Sequence, residues 1–133
     1  MRDTPSIFQL LRSDFRVYCG DMAASRKRWL LFKFLRAWLD IDYRVVLYWR
    51  LSSWLTNGQL KFIGILIYWH LKSNYSVDIS PWARIGEGLR LMHAFNVVIG
   101  PGATIGSYCK VFNGVTLGKA RPDFVFLDMP SVG

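Results

Sequence analysis

Few side chains in this sequence can move a proton near neutral pH. The 133 residues include two histidines, His70 and His93, and two cysteines, Cys19 and Cys109. His93 falls in the run Met92-His93-Ala94-Phe95-Asn96, inside a stretch punctuated by Gly and short polar residues. Asp78 stands fifteen residues before it. An imidazole with a carboxylate at a neighbouring corner is a setting for general-base chemistry. A structural corner histidine is the alternative, and the residues alone leave both open. His70 ends an apolar helical stretch and reads as a capping or surface residue. Two His, two Cys and no clustered carboxylates make no recognisable zinc set, so no metal is expected. Gly86-Glu87-Gly88 and Gly100-Pro101-Gly102 lack the spacing of a phosphate loop and its following Lys-Ser/Thr, and read instead as chain corners.

What must position these groups is a repeat. From Asp78 to Gly118 aliphatic residues return every six positions: Ile79, Ile85 and Leu91, then Ile99, Ile105, Val111 and Leu117. The fourth-on positions are Ala83, Leu89 and Phe95, then Ala103, Cys109 and Val115, all small or apolar. A period of six fits neither an ordinary strand nor a helix. It predicts short strands that turn a corner every six residues, three to a triangular coil of about eighteen, stacked as a parallel β-helix. Gly, Ser and Asn follow the aliphatic residues, where a positive φ is tolerable. Leu91 and Ile99 are eight apart instead of six, so two extra residues must bulge out near His93 to Asn96. His93 and Asn113 hold the same place in their hexads and are expected to lie one above the other. Asp78 begins the coil that His93 completes.

Ahead of the repeat the chain reads as helical. Thr4-Pro5 is a helix entry, with Ile7, Leu10, Leu11, Phe15 and Tyr18 on one face and Gly20-Asp21 as the stop. A second helix is expected from Ser25 to Leu39, a third from Tyr43 to Leu55 ending at Asn57-Gly58, and a fourth from Leu60 to Lys72. The fourth is almost continuously apolar, which predicts burial between partners. The predicted class is therefore α+β, with an all-α region over 1–76 and a β-helix over 77–133. Net charge is +8, and the excess lies in the first half, where 12 Lys/Arg face 5 Asp/Glu before Asp78. Fifteen of the 21 aromatic residues lie there too. Two readings remain for this basic aromatic region: core and oligomer contacts with a solvated charged face, or peripheral contact with an anionic membrane. Nucleic acid is not expected. No signal peptide is recognisable, and Phe62–Trp69, the longest apolar run, is too short to span a bilayer. Two thiols ninety positions apart suit a reduced, cytoplasmic protein.

The run Val77-Asp78-Ile79-Ser80-Pro81, followed by Ile85-Gly86-Glu87-Gly88-Leu89, His93-Ala94 and Val115-Thr116-Leu117-Gly118, resembles the core of serine O-acetyltransferases and related hexapeptide-repeat acyltransferases. The likeness covers roughly Tyr43 to Gly118. It implies a left-handed β-helix and acetyl transfer from acetyl-CoA to a hydroxyl, of L-serine as in cysteine biosynthesis or of a surface-polysaccharide sugar. It implies a homotrimer or dimer of trimers with active sites between neighbouring solenoids. By the same resemblance His93 matches the catalytic base and Asp78 the carboxylate that holds its imidazole. Gly118 and Lys119 match the pantetheine path, and Asn113 is placed to touch the acceptor.

Two departures bear on the substrate and the cofactor. The family's Asp directly before the catalytic His is here Met92, and its later Arg-His pair before a Pro is here Asp128-Met129-Pro130. The charged ends of free serine then lack evident partners, which raises the standing of a sugar acceptor. Val132-Gly133 resembles the opening of a further hexad, where the family continues for at least another coil and builds much of its CoA surface. A C-terminally truncated, catalytically incomplete product acting only in assembly is the rival expectation.

Overall fold

A computed structural model of the chain describes residues 5–19, 27–118 and 131–132. Four helices come first: α1 (Ile7–Cys19), α2 (Lys27–Leu39), α3 (Ile41–Asn57) and α4 (Lys61–Tyr75). Eight short strands follow: β1 (Val77–Ile79), β2 (Arg84–Ile85), β3 (Arg90–Met92), β4 (Val97–Ile99), β5 (Thr104–Ile105), β6 (Lys110–Phe112), β7 (Thr116–Leu117) and β8 (Ser131–Val132). They stack as three parallel sheets, β1-β4-β7, β2-β5-β8 and β3-β6, one on each side of a left-handed β-helix of hexapeptide repeats.

Register accounts for the phase break. Val77 pairs with Val97, Arg84 with Thr104 and Arg90 with Lys110, twenty positions apart in each case. Val98 pairs with Thr116, eighteen apart. The two surplus residues therefore leave the helix between β3 and β4, at His93–Asn96. Thr104 pairs with Ser131 and Ile105 with Val132, so Val132 takes a hexad aliphatic position, while Gly133 lies outside the described residues.

Inside the prism, Ile79, Leu91, Ile99, Ile105, Val97 and Val77 are almost fully buried, with Ala83, Leu89 and Ala103 filling the space between them. Phe95 departs from the expected inward series. It sits in the bulge and is exposed, and Ala94 takes the buried place. The glycines also divide differently from the simple corner reading. Gly88, Gly102 and Gly114 adopt positive φ. Gly86, directly after an aliphatic residue, is needed for close stacking, because a Cβ there would lie 2.6 Å from Ser107 N in the next coil.

Helix ends follow local chemistry. Ser6 Oγ accepts from Gln9 N (3.3 Å) and Gln9 Oε1 accepts from Ser6 N (2.8 Å), a reciprocal cap that starts α1 at Ile7. Ser6 thus replaces the expected Thr4 cap; Thr4, Gly20, Asp21 and Ser25 lie outside the described residues. Asp40 caps α3 by accepting from Asp42 N and Tyr43 N, and Gly58 N closes its other end on Leu55 O. Gly64 lets α4 cross tightly over α3, where Ser52 Oγ donates to Gly64 O at 2.7 Å. Within the chain α4 is buried on that face only. Phe62, Ile63, Leu66 and Trp69 are exposed, so the burial between partners predicted for α4 is not supplied within the single chain, and Leu31, Leu35, Trp38 and Leu39 of α2 are exposed too. Among the described residues no helix is long and apolar enough to cross a membrane.

The helices seal the first coil. A solenoid's outer strand carries alternate N–H and C=O groups with no neighbouring strand to take them. Arg90 N donates to Cys109 O of the next coil. On the opposite side Leu89 N donates to Asp14 Oδ1, Leu91 N to Tyr18 Oη, and His93 N and Ala94 N to Asp42. The carbonyls of Ser80, Pro81, Ile85 and Gly86 accept from Trp49, Ser53 and Arg50 of α3. Arg50 also pairs with Asp14 at 2.7 Å, both side chains almost wholly buried. Burial pushes the Tyr18 hydroxyl well above its ordinary pKa, and the Asp42, Asp40 and Asp14 carboxylates push the same way.

Candidate active site

His93 occupies the first bulge residue, at φ 60, a left-handed conformation that disfavours a side chain with a Cβ. Its amide and that of Ala94 converge on one carboxylate: His93 N to Asp42 Oδ2 at 3.0 Å and Ala94 N to Asp42 Oδ1 at 2.6 Å. Phe95 N turns back to His93 O at 2.7 Å, and Asn96, also at positive φ, donates its N–H to Ser76 O. The backbone of the bulge is thus held from both ends. The imidazole itself is exposed, and its ring nitrogens have no hydrogen-bond partner among the described residues.

Asn113 follows β6, and its N–H donates to Met92 O at 3.1 Å. With Met92 in register with Phe112, Asn113 comes beneath His93, the stacking that the hexad count predicts. Met92 is half-buried, and Phe95 and Phe112 are exposed around the same corner. Gly118 directly follows β7, the next strand along the coil, and is open, with nothing within 4 Å of where its Cβ would lie. Lys119, Asp128, Met129 and Pro130 lie outside the described residues.

Asp78 is on β1, whose partner strand β4 leaves the His93 bulge, so both residues belong to one edge of the prism. Its carboxylate is engaged by α4: Tyr68 Oη donates to Oδ1 and Lys72 Nζ to Oδ2, both at 2.6 Å. No hydrogen bond joins it to the imidazole. Burial alone would raise its pKa, but the hydrogen bonds from Lys72 and Tyr68 outweigh that and hold it below the usual carboxylate value. His70 lies at the far end of α4, exposed, against Tyr48 and Tyr75 and beside Asn74. Cys19 and Cys109 are both free thiols. No group of three or more His, Cys, Asp or Glu able to hold a metal occurs among the described residues.

The sequence reading missed Asp42, Tyr18, Asp14 and Arg50, the side chains that fasten this corner and its coil. Signals for two of them were present. Asp40 and Asp42 put two carboxylates at one helix start, where a single cap suffices. Asp14 stands on the same face as Leu11, Phe15 and Tyr18, where a carboxylate needs a buried partner.

Comparison with known proteins agrees with this architecture. A serine acetyltransferase of Synechococcus elongatus is 32% identical over 113 residues, covering 84% of this chain and 44% of that protein. The crystal structure of serine acetyltransferase from Brucella abortus strain S19 superposes with a TM-score of 0.66 at 31% identity, over 86% of this chain and 45% of that one. The chain is a serine acetyltransferase-like member of the hexapeptide-repeat acyltransferases. A soybean serine acetyltransferase complexed with serine gives a TM-score of 0.68 at 26% identity, over 90% of this chain and 49% of that one. No family model matches. The chain spans less than half the length of these relatives.

Proposed function

We propose that this serine acetyltransferase-like chain transfers an acetyl group from acetyl-CoA to a hydroxyl, with His93 as general base. The observation that carries this reading is the exposed imidazole on a backbone fixed at the bulge, above Asn113. The imidazole takes the acceptor's hydroxyl proton as the oxygen attacks the thioester carbonyl. Collapse of the tetrahedral adduct breaks the C–S bond, and the imidazolium returns the proton to the departing thiolate. Asp78, on the same edge, favours the imidazolium by its negative charge. Asn113 and Met92 border the acceptor, and Gly118 and Lys119 lie on the pantetheine path.

L-serine is the acceptor suggested by the relatives. A specific observation favours a sugar hydroxyl as the second reading: the residue beside His93 is the half-buried, uncharged Met92, which offers nothing to an ammonium group. Exposed Phe95, Tyr108 and Phe112 on the solenoid suit a trimeric assembly with sites between subunits. The exposed apolar residues of α2 and α4, set among Lys and Arg, suit peripheral contact with an anionic membrane from the cytoplasmic side. The domain boundary falls between Tyr75 and Val77, with the helices acting as a cap on the solenoid.

The test is thiol release from acetyl-CoA by the purified chain, with serine and a panel of sugars offered separately. Acceptor-dependent release is expected. His93→Ala should lower it by about a hundredfold or more while leaving the fold intact. Release unaffected by His93→Ala, or none with any acceptor, overturns the reading.

A further inference from the structure

We infer that Asp42, a residue of the helical region fifty-one positions from His93, is a positioning residue for the imidazole, an inference that rests on His93 being the base. Two consecutive amides, His93 N at 3.0 Å and Ala94 N at 2.6 Å, point to the two oxygens of one carboxylate. Successive N–H groups around a left-handed residue form a small anion-binding concavity, and here the anion is supplied by the chain itself. Asp42 lies in the first turn of α3, where the positive end of the helix dipole favours a negative charge. Its own N–H is taken by Asp40, so the α3 start is capped without it and its carboxylate is left for the bulge.

Three neighbouring contacts give the clamp its purpose. Tyr18 Oη accepts from Leu91 N at 2.7 Å and donates to Leu91 O at 3.3 Å, fixing the strand two residues before His93. Asn113 N on Met92 O fixes it from the coil below, and Asn96 N on Ser76 O fixes the exit of the bulge. Between these anchors Phe95 N turns back to His93 O and Gly114 N reaches Phe95 O at 3.4 Å, which leaves the amides of residues 93 and 94, and Asp42 takes both. The direction of the His93 Cα–Cβ bond is then set by Asp42, while the ring stays free to meet an acceptor. Releasing a φ of 60 at a histidine would let the corner relax towards a negative φ and swing the ring away.

The experiment compares wild type, Asp42→Asn, Asp42→Ala and Asp42→Glu, each alone and in the His93→Ala background. Amide hydrogen exchange at residues 93 and 94 is read alongside acetyl transfer. Asp42→Ala should abolish protection of both amides, and Asp42→Asn should keep one at most. Both should lower kcat by about ten- to a hundredfold with little change in KM for acetyl-CoA, and Asp42→Glu should recover part of the loss. In the His93→Ala background the same substitutions should have no further effect on residual transfer. Protected amides in Asp42→Ala overturn the inference, as does an equal loss of activity with and without His93. A wild type inactive towards every acceptor overturns the base assignment, and Asp42's positioning role with it. The exchange result separately shows whether Asp42 holds the bulge.

Discussion

Replacing Asp14 with alanine should remove about 4 kcal/mol from the stability of the fold. The carboxylate is 1% exposed and accepts three hydrogen bonds, from Arg50 Nε at 2.7 Å, Arg50 Nη2 at 3.2 Å and Leu89 N at 2.9 Å. Its loss leaves a guanidinium that is 3% exposed with the Ile85 and Gly86 carbonyls and the face of the Trp49 ring as its remaining partners, and it orphans the Leu89 amide. Breaking a buried ion pair from one side costs roughly 3–5 kcal/mol, and an unsatisfied buried donor about 1–3 kcal/mol. The two losses overlap, because water entering the vacated volume would serve both groups, so the figure lies near the middle of the first range. With a urea slope on the order of 2 kcal/mol/M, the unfolding midpoint should fall by about 2 M. Equilibrium unfolding followed by tryptophan fluorescence reads this directly, at one fixed protein concentration so that any concentration-dependent contribution is the same for both proteins. Asp14→Asn should lose less, since one acceptor remains. A midpoint within about 0.3 M of wild type for Asp14→Ala would refute the argument that this pair fastens α1 and α3 to the first coil.

Gly86→Ala should destabilise by about 1–3 kcal/mol, because the new methyl meets the backbone of the next coil at Ser107; an unchanged melting temperature would show that the coils can part there. The Tyr68–Asp78–Lys72 link should be acid-sensitive. Asp78 titrates below its ordinary value of 3.8 in the folded chain, so the link stabilises fully above that value and is lost as pH falls through the lower folded one. The stability difference between wild type and Lys72→Met should therefore be present at about pH 6 and shrink as the pH falls below the ordinary carboxylate value, and a difference that acid does not diminish would exclude the link as its source.

The solenoid was legible because its signal is local. Ile79, Ile85 and Leu91 recur at six whatever surrounds them, and the eight-residue step from Leu91 to Ile99 marks the bulge in the sequence itself. The stacking of Asn113 beneath His93 follows from the same count. Long-range side-chain contacts were not legible. Asp42 reaches His93 across fifty-one positions and Asp14 reaches Leu89 across seventy-five, and no periodicity relates such pairs. Asp78 shows the complementary difficulty: its place on the prism edge could be read, but its engagement by Tyr68 and Lys72 depends on how α4 crosses above β1. Helix composition also outran the single chain, since the apolar content of α4 predicts burial between partners, while its Phe62 stands exposed within one chain.

The sealing of the first coil gives the solenoid a direction. Its leading edge is closed by side chains from α1 and α3, so that no strand, from this chain or another, can dock there without displacing Asp14, Tyr18, Asp42 and Arg50. Coils can be added or removed only at the trailing side, where β6 has a strand neighbour on one side alone among the described residues. Insertions and changes of length in such a protein are therefore tolerated asymmetrically. The trailing coils can vary while the helices, the first coil and the His93 corner must change together.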